Sequence, residues 1–227
     1  MSDEVSRTDT TAIMRMPVQT TSYHAVQVPV NKGDTPPALL LAMHGYGQAC
    51  KNFVKTFAPF AEQNVLVVAP QGLHQFYWIN HRPAFSWMTS FEREQTIADN
   101  LAYMALLYNT IQEEYSFDPE RVFLLGFSQG VAMAFRFAAS GHITTRGVIA
   151  CGGDLPPDVA ARIEEVTPFP ALVMHGTQDT IVPIAKSEAC VEVLEQHQFP
   201  VETHFFEGNH EIPDAQVEAI SEWINNH

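Results

Sequence analysis

Val122-Phe123-Leu124-Leu125-Gly126-Phe127-Ser128-Gln129-Gly130-Val131-Ala132-Met133-Ala134-Phe135 carries the strongest architectural signal in the chain. The apolar run before Gly126 reads as a buried strand and the run after Gly130 as a helix, with a serine on the turn between them. A turn that sharp would drive flanking side chains into one another, which accounts for glycine two residues before and two residues after Ser128. Its strain holds the hydroxyl out toward a substrate. Without the strand before and the helix after, the same five residues would be a glycine-rich bend with an incidental serine.

A serine hydroxyl is a weak nucleophile at neutral pH and needs a base that is itself oriented by a third group. Downstream, Ala171-Leu172-Val173-Met174 reads as a second buried strand and runs into His175-Gly176-Thr177-Gln178-Asp179, putting Asp179 on a loop at a strand end. The strand-like Val201 to Phe206 runs into Glu207-Gly208-Asn209-His210, which puts His210 on the loop after the final strand. The chain order Ser128, Asp179, His210 is that of α/β-hydrolases and differs from the orders of the chymotrypsin and subtilisin types. The chain has 10 histidines. His24, His197 and His204 fall inside expected strands or helices, His227 is the last residue, and His175 precedes the acid loop, so the base falls to His210. Asp154, one strand before Asp179, competes with it as the acid. Glu207 stands too near His210 in sequence to be favoured.

Attack on a carbonyl places negative charge on oxygen, and backbone amides are the usual groups that receive it. Leu39-Leu40-Leu41-Ala42-Met43 reads as a buried strand ending in His44-Gly45-Tyr46-Gly47, whose glycines free an amide to turn toward that oxygen. The Tyr46 N–H is the expected first donor. The second is the N–H of Gln129, directly after the serine and at the start of a helix whose dipole also favours negative charge. His44 is expected to orient the loop and to transfer no proton.

Taken together, His44-Gly45-Tyr46-Gly47, Gly126-Phe127-Ser128-Gln129-Gly130, His175-Gly176-Thr177-Gln178-Asp179-Thr180-Ile181-Val182-Pro183 and Gly208-Asn209-His210-Glu211-Ile212-Pro213 resemble the phospholipase/carboxylesterase family of α/β-hydrolases. That family includes acyl-protein thioesterases and small bacterial carboxylesterases, and the resemblance runs from about residue 22 to the C-terminus. It implies a serine hydrolase that needs no cofactor or metal and cleaves esters or thioesters, with Ser128, Asp179 and His210 as triad and the Tyr46 and Gln129 amides as oxyanion donors. Val131 departs from the pattern, since many relatives carry another glycine there, and it is expected to narrow the space beside the elbow. The related dienelactone hydrolases use cysteine where this chain has Ser128, which argues against lactone hydrolysis of that type. The expected activity is hydrolysis of small carboxylic esters through an acyl-enzyme. An acyl-protein or lysophospholipid thioesterase of lipase type is the alternative, and a non-catalytic binding protein on the same fold a more distant one.

Away from the motifs, strand and helix alternate, as a mostly parallel sheet covered on both faces requires. The expected α/β-hydrolase sheet has about seven strands: Ser22 to Val30, Leu39 to Met43, Val65 to Ala69, Val122 to Leu125, Gly147 to Cys151, Ala171 to Met174 and Val201 to Phe206. Ile97, Leu101, Met104, Tyr108, Ile111 and Tyr115 recur at alternating spacings of four and three, one face of a long helix. Ile184 to His197 and Asp214 to Asn225 are the later helices, the last turning Val217, Ile220 and Ile224 inward. The stretch from 72 to 94 breaks the rhythm, with aromatics at no clean period around Pro83. It is expected to be a loop or short-helix excursion lining the binding crevice, with Trp78 and Trp87 as candidate substrate contacts.

At 227 residues the chain is expected to form a single α/β domain over residues 22–227, preceded by an extension over residues 1–21. A formal net charge of −14 argues against nucleic acid and anionic membranes as partners, and is expected to favour neutral or cationic substrates. No apolar run approaches the roughly 20 residues of a membrane span. Residues 1–16 are polar and lack the pattern of a secretory signal, so a cytoplasmic location is expected. The 3 cysteines, Cys50, Cys151 and Cys190, are widely spaced and read as reduced thiols rather than metal ligands.

Overall fold

The computed structural model describes residues 14–30 and 35–227. The expected N-terminal extension falls mostly on residues 1–13, outside the described residues. From the amino end the elements are β1 (His24–Gln27), β2 (Ala38–Met43), α1 (Cys50–Phe53), β3 (Val65–Pro70), β4 (His74–Tyr77), β5 (Pro83–Ser86) and α2 (Arg93–Glu114). They continue as β6 (Val122–Phe127), α3 (Gln129–Ala138), β7 (Gly147–Cys151), α4 (Pro157–Ala160), β8 (Ala171–Gly176), α5 (Ala185–Gln196), β9 (Val201–Phe206) and α6 (Asp214–Asn226).

Seven strands form one sheet in the order β1-β3-β2-β6-β7-β8-β9, parallel except for β1, which pairs antiparallel with β3. The chain builds outward from β2 to β3, returns to β6 beside β2, and then builds outward the other way. That reversal opens a crevice at the carboxyl ends of β2 and β6, where ligands bind in open α/β sheets. Those two ends run into His44-Gly45-Tyr46 and Ser128.

Alternate residues of each central strand face opposite cores. Leu39, Leu41, Met43, Leu124 and Val148 pack with residues of α2, α3 and α5 on one face. Leu40, Ala42, Phe123, Leu125 and Ile149 pack with Phe57, Phe60 and the inward face of α6 on the other. Val217, Ile220 and Ile224 of α6 are all fully buried, as their spacing predicts.

Three expectations need correction. The first strand is shorter than Ser22 to Val30: past Gln27 the chain leaves β3, where Pro29 has no N–H to give a ladder. Along α2 the buried face is Thr96, Asn100, Met104, Leu107, Tyr108 and Ile111, with Leu101 and Tyr115 packed against it only partly buried, so its first turns present polar Thr96 and Asn100 inward in place of Ile97. The reason is a hydrogen bond: Asn100 Nδ2 donates to Trp87 O at 2.8 Å, bracing the segment that enters the helix. Finally, much of the stretch from 72 to 94 is neither a plain loop nor mainly short helices. β4 and β5 pair antiparallel into a separate hairpin, with Phe76 opposite Ala84 and Tyr77 opposite Pro83.

Candidate active site

Ser128 sits between β6 and α3 with φ 53° and ψ −119°, a strained conformation for a residue with a side chain. The glycines around it are sterically required. A Cβ on Gly126 would lie 2.4 Å from Gly130 O, and one on Gly130 would lie 2.1 Å from Met43 O. Val131 is fully buried beside the elbow: a Cβ on Gly153 would meet both its Cβ at 2.6 Å and Ser128 O at 2.7 Å. The Ser128 N–H donates to Cys151 O at 2.9 Å, which ties the elbow to the end of β7.

Asp179 lies on the loop after β8 with its side chain 1% exposed. Its Oδ1 accepts the N–H groups of Ile181 (2.8 Å) and Val182 (2.9 Å), while Oδ2 accepts His210 Nδ1–H at 2.6 Å. Burial pushes this carboxyl upward, but the Val182 N–H, His210 and the Ile181 N–H together hold it below the ordinary carboxylate value. The His210 ring, on the loop after β9, packs against the Phe127 ring with centroids 4.8 Å apart, beside the serine. With Nδ1 donating to Asp179, Nε2 is left as the acceptor. Among the described residues the Ser128 hydroxyl makes no direct hydrogen bond, a contact that in resting hydrolases often tightens only with substrate. Asp154 instead pairs with Lys186 Nζ at 3.4 Å, and the carboxylate bound by His210 is that of Asp179. Glu207 accepts from Gln178 Nε2.

The loop after β2 closes over the elbow. A Cβ on Gly45 would stand 3.2 Å from Ser128 Cβ. Within this loop the Gly45 N–H donates to Gln48 Oε1 and the Gly47 N–H to Phe85 O, both at 2.8 Å. Among the described residues, the N–H groups of Tyr46 and Gln129 have no acceptor. His44 is fully buried. Its Nδ1–H donates to Gly45 O at 2.7 Å, and its Nε2 accepts from Gly72 N–H at 3.0 Å and Gln71 Nε2 at 2.7 Å. Burial lowers its pKa to about 4, against a smaller opposing effect of the Gly45 carbonyl, so the ring stays neutral and braces the loop.

Several positioning residues were not visible from sequence. Trp87 is fully buried rather than turned toward a substrate, and its Nε1–H donates to His44 O at 2.9 Å. The Gln129 side chain accepts the Trp87 N–H at 2.9 Å and donates to Ser86 Oγ at 3.0 Å, latching the end of the hairpin to the elbow. His175, buried, donates from Nε2 to Val182 O at 2.9 Å and lies 3.3 Å from Asp179 Oδ2, so the carboxylate faces two imidazoles. Only His175 left a trace in the sequence, four residues before the acid. Trp78 is 45% exposed and packs on Tyr46, with ring centroids 5.4 Å apart. No group of side chains suited to hold a metal ion occurs among the described residues.

Comparison with known proteins gives a match to the family described as Phospholipase/Carboxylesterase over residues 24–227. The chain is 31% identical over 113 residues to a probable carboxylesterase of Oryza sativa subsp. japonica, covering 48% of this chain and 42% of the rice protein. The chain thus spans less than half of that relative's length. It is 24% identical over 196 residues to acyl-protein thioesterase 1 of Gibberella zeae, covering 78% of this chain and 83% of that one. The crystal structure of esterase PE8 superposes with a TM-score of 0.74 at 20% identity, covering 91% of this chain and 99% of that one, which is a likeness of fold.

Proposed function

The chain belongs to the phospholipase/carboxylesterase family, and from that premise we propose that it is a serine hydrolase of small carboxylic esters, acting through an acyl-enzyme on Ser128. What carries this reading is the conjunction of a strained Ser128 on a strand-to-helix elbow with an Asp179–His210 pair closed at 2.6 Å beside it. His210 Nε2 takes the Ser128 proton as Oγ attacks the carbonyl carbon. The oxyanion is received by the Tyr46 and Gln129 N–H groups, and Asp179 stabilises the imidazolium. Nε2–H then protonates the departing alkoxide, leaving the acyl group on Ser128. Water enters, loses a proton to the same nitrogen, and releases the acid with the Ser128 hydroxyl restored.

This mechanism predicts a pre-steady-state burst of 4-nitrophenol from 4-nitrophenyl butyrate, near one equivalent per protein when deacylation is slow, and its loss in Ser128→Ala. A burst that survives in the variant would reject the assignment. We propose further that residues 22–227 form one domain, and that the protein resides in the cytoplasm. Three buried cysteines with free thiols support that location, and among the described residues no helix is long and apolar enough to cross a membrane.

A further inference from the structure

Beside the oxyanion loop, between β5 and the start of α1, lies an open cleft of about 410 Å³. One wall is aromatic, formed by Tyr46, Phe53 and Trp78; the other carries Gln48, Asn52, Thr56 and Arg82. Two observations single it out. Tyr46 offers its N–H to the reaction site and its ring to the cleft, so the cleft begins where a bound carbonyl would end. In addition, among the described residues the Gln48 amide nitrogen, the Asn52 amide, the Thr56 hydroxyl and the Arg82 guanidinium have no hydrogen-bond or ion-pair partner. Four polar side chains converge on one cavity and leave donors open there. Unlike Arg121 and Arg146, whose guanidinium groups donate to main-chain carbonyls, that of Arg82 lines a cavity with its donors open.

From this arrangement we propose that the cleft is an acyl subsite for esters whose acyl chain ends in a free carboxylate, half-esters of dicarboxylic acids, with Arg82 as the carboxylate's partner. The side is fixed by the chemistry of the proposed acyl transfer, on which this inference rests. His210 must protonate the leaving alkoxide, so the alcohol lies toward β8 and β9, and the acyl chain extends the other way, past Tyr46. The aromatic wall takes the methylene chain, and the planar guanidinium, flanked by neutral donors, matches a carboxylate in geometry and charge. One cation among neutral donors suits a single negative charge. The acidic surface repels such a substrate at long range, but screening over a Debye length of about 8 Å leaves the local partner in control at contact.

The test compares 4-nitrophenyl hydrogen adipate with 4-nitrophenyl hexanoate, equal in acyl length and different in terminal charge. The ratio of their kcat/KM values is expected to fall about five- to tenfold in Arg82→Gln and further in Arg82→Glu, with the wild-type ratio shrinking in high salt. A ratio unmoved by both substitutions overturns the proposal. Calorimetric titration with adipate itself separates this outcome from a failure of the hydrolase reading, because it needs no turnover. Wild type and Ser128→Ala should bind adipate alike and Arg82→Glu should lose it. Equal binding by all three, or none by wild type, also overturns the subsite.

Discussion

The loops at the ends of β6, β8 and β9 and the hairpin of β4 and β5 border the same crevice and are built on opposite plans. In the first region the polar groups are already matched: Asp179 receives two backbone N–H groups and His210, and the elbow glycines touch neighbouring backbone. In the second, Tyr46 and Trp78 stand about half exposed and the Arg82 guanidinium has no partner among the described residues. On the proposed mechanism the reaction chemistry rests on a preset geometry carried by the sheet, and on the proposed subsite the hairpin leaves groups open for a substrate. Trp87 and Gln129 join the two plans by fastening the hairpin's last residues to the elbow.

The sharpest way to break this contrast is at the acid. Asp179→Asn should lower kcat about 10⁴-fold by misorienting His210, while Asp154→Asn, whose carboxylate faces Lys186, should stay within about twofold. Comparable losses from the two substitutions, measured on 4-nitrophenyl butyrate at one pH, would dissolve the distinction.

The next effect is in pH. His44 has a folded-state pKa of about 4 against 6.5 ordinarily, so the unfolded chain takes up the proton first as pH falls. Its contribution to stability is whole above pH 6.5 and is lost progressively toward pH 4, by roughly 3 kcal/mol. Urea titrations should show that slope in wild type and a flatter one in His44→Gln; equal slopes would mean the ring is not held neutral.

A smaller effect tests whether stability is lodged outside both regions. Arg136, its side chain 2% exposed, is bound in a fork by Asp158 at 2.7 and 2.8 Å, and Asp158 is lowered to about 2 as the Arg136 hydrogen bonds and charge outweigh its burial. Asp158→Asn should cost about 2 kcal/mol, less than a fully buried pair because the carboxylate keeps some contact with water, and lower Tm by roughly 4–8 °C. Its kcat should be unchanged. Smallest of all, Trp87→Phe leaves the His44 carbonyl without its donor and should cost about 1–2 kcal/mol, with kcat falling more than KM shifts. Trp78→Phe, on the open side, should move KM rather than Tm.

Much of the proposed catalytic side is legible in the sequence because short-range sterics and strand-end positions write it there. Gly126 and Gly130 flag the elbow, and the apolar runs of β6 and β8 place Ser128 and Asp179 at strand ends. The hairpin is hidden because each of its strands has four residues, too few for a period, and Pro83 suggests a break where it in fact sits at the first position of an edge strand. Trp87 and Asn100 mislead for a different reason. Their places depend on partners far away in sequence, His44 and Trp87 respectively, so composition and spacing give no hint of their burial.

The central claim is that one hydroxyl, activated by one imidazole, does the chemistry. Mass spectrometry after treatment with a fluorophosphonate tests it most directly. The account predicts a single adduct on Ser128 in wild type, none in Ser128→Ala, and markedly slower labelling in His210→Ala; an adduct on another residue, or equal labelling in His210→Ala, would contradict it.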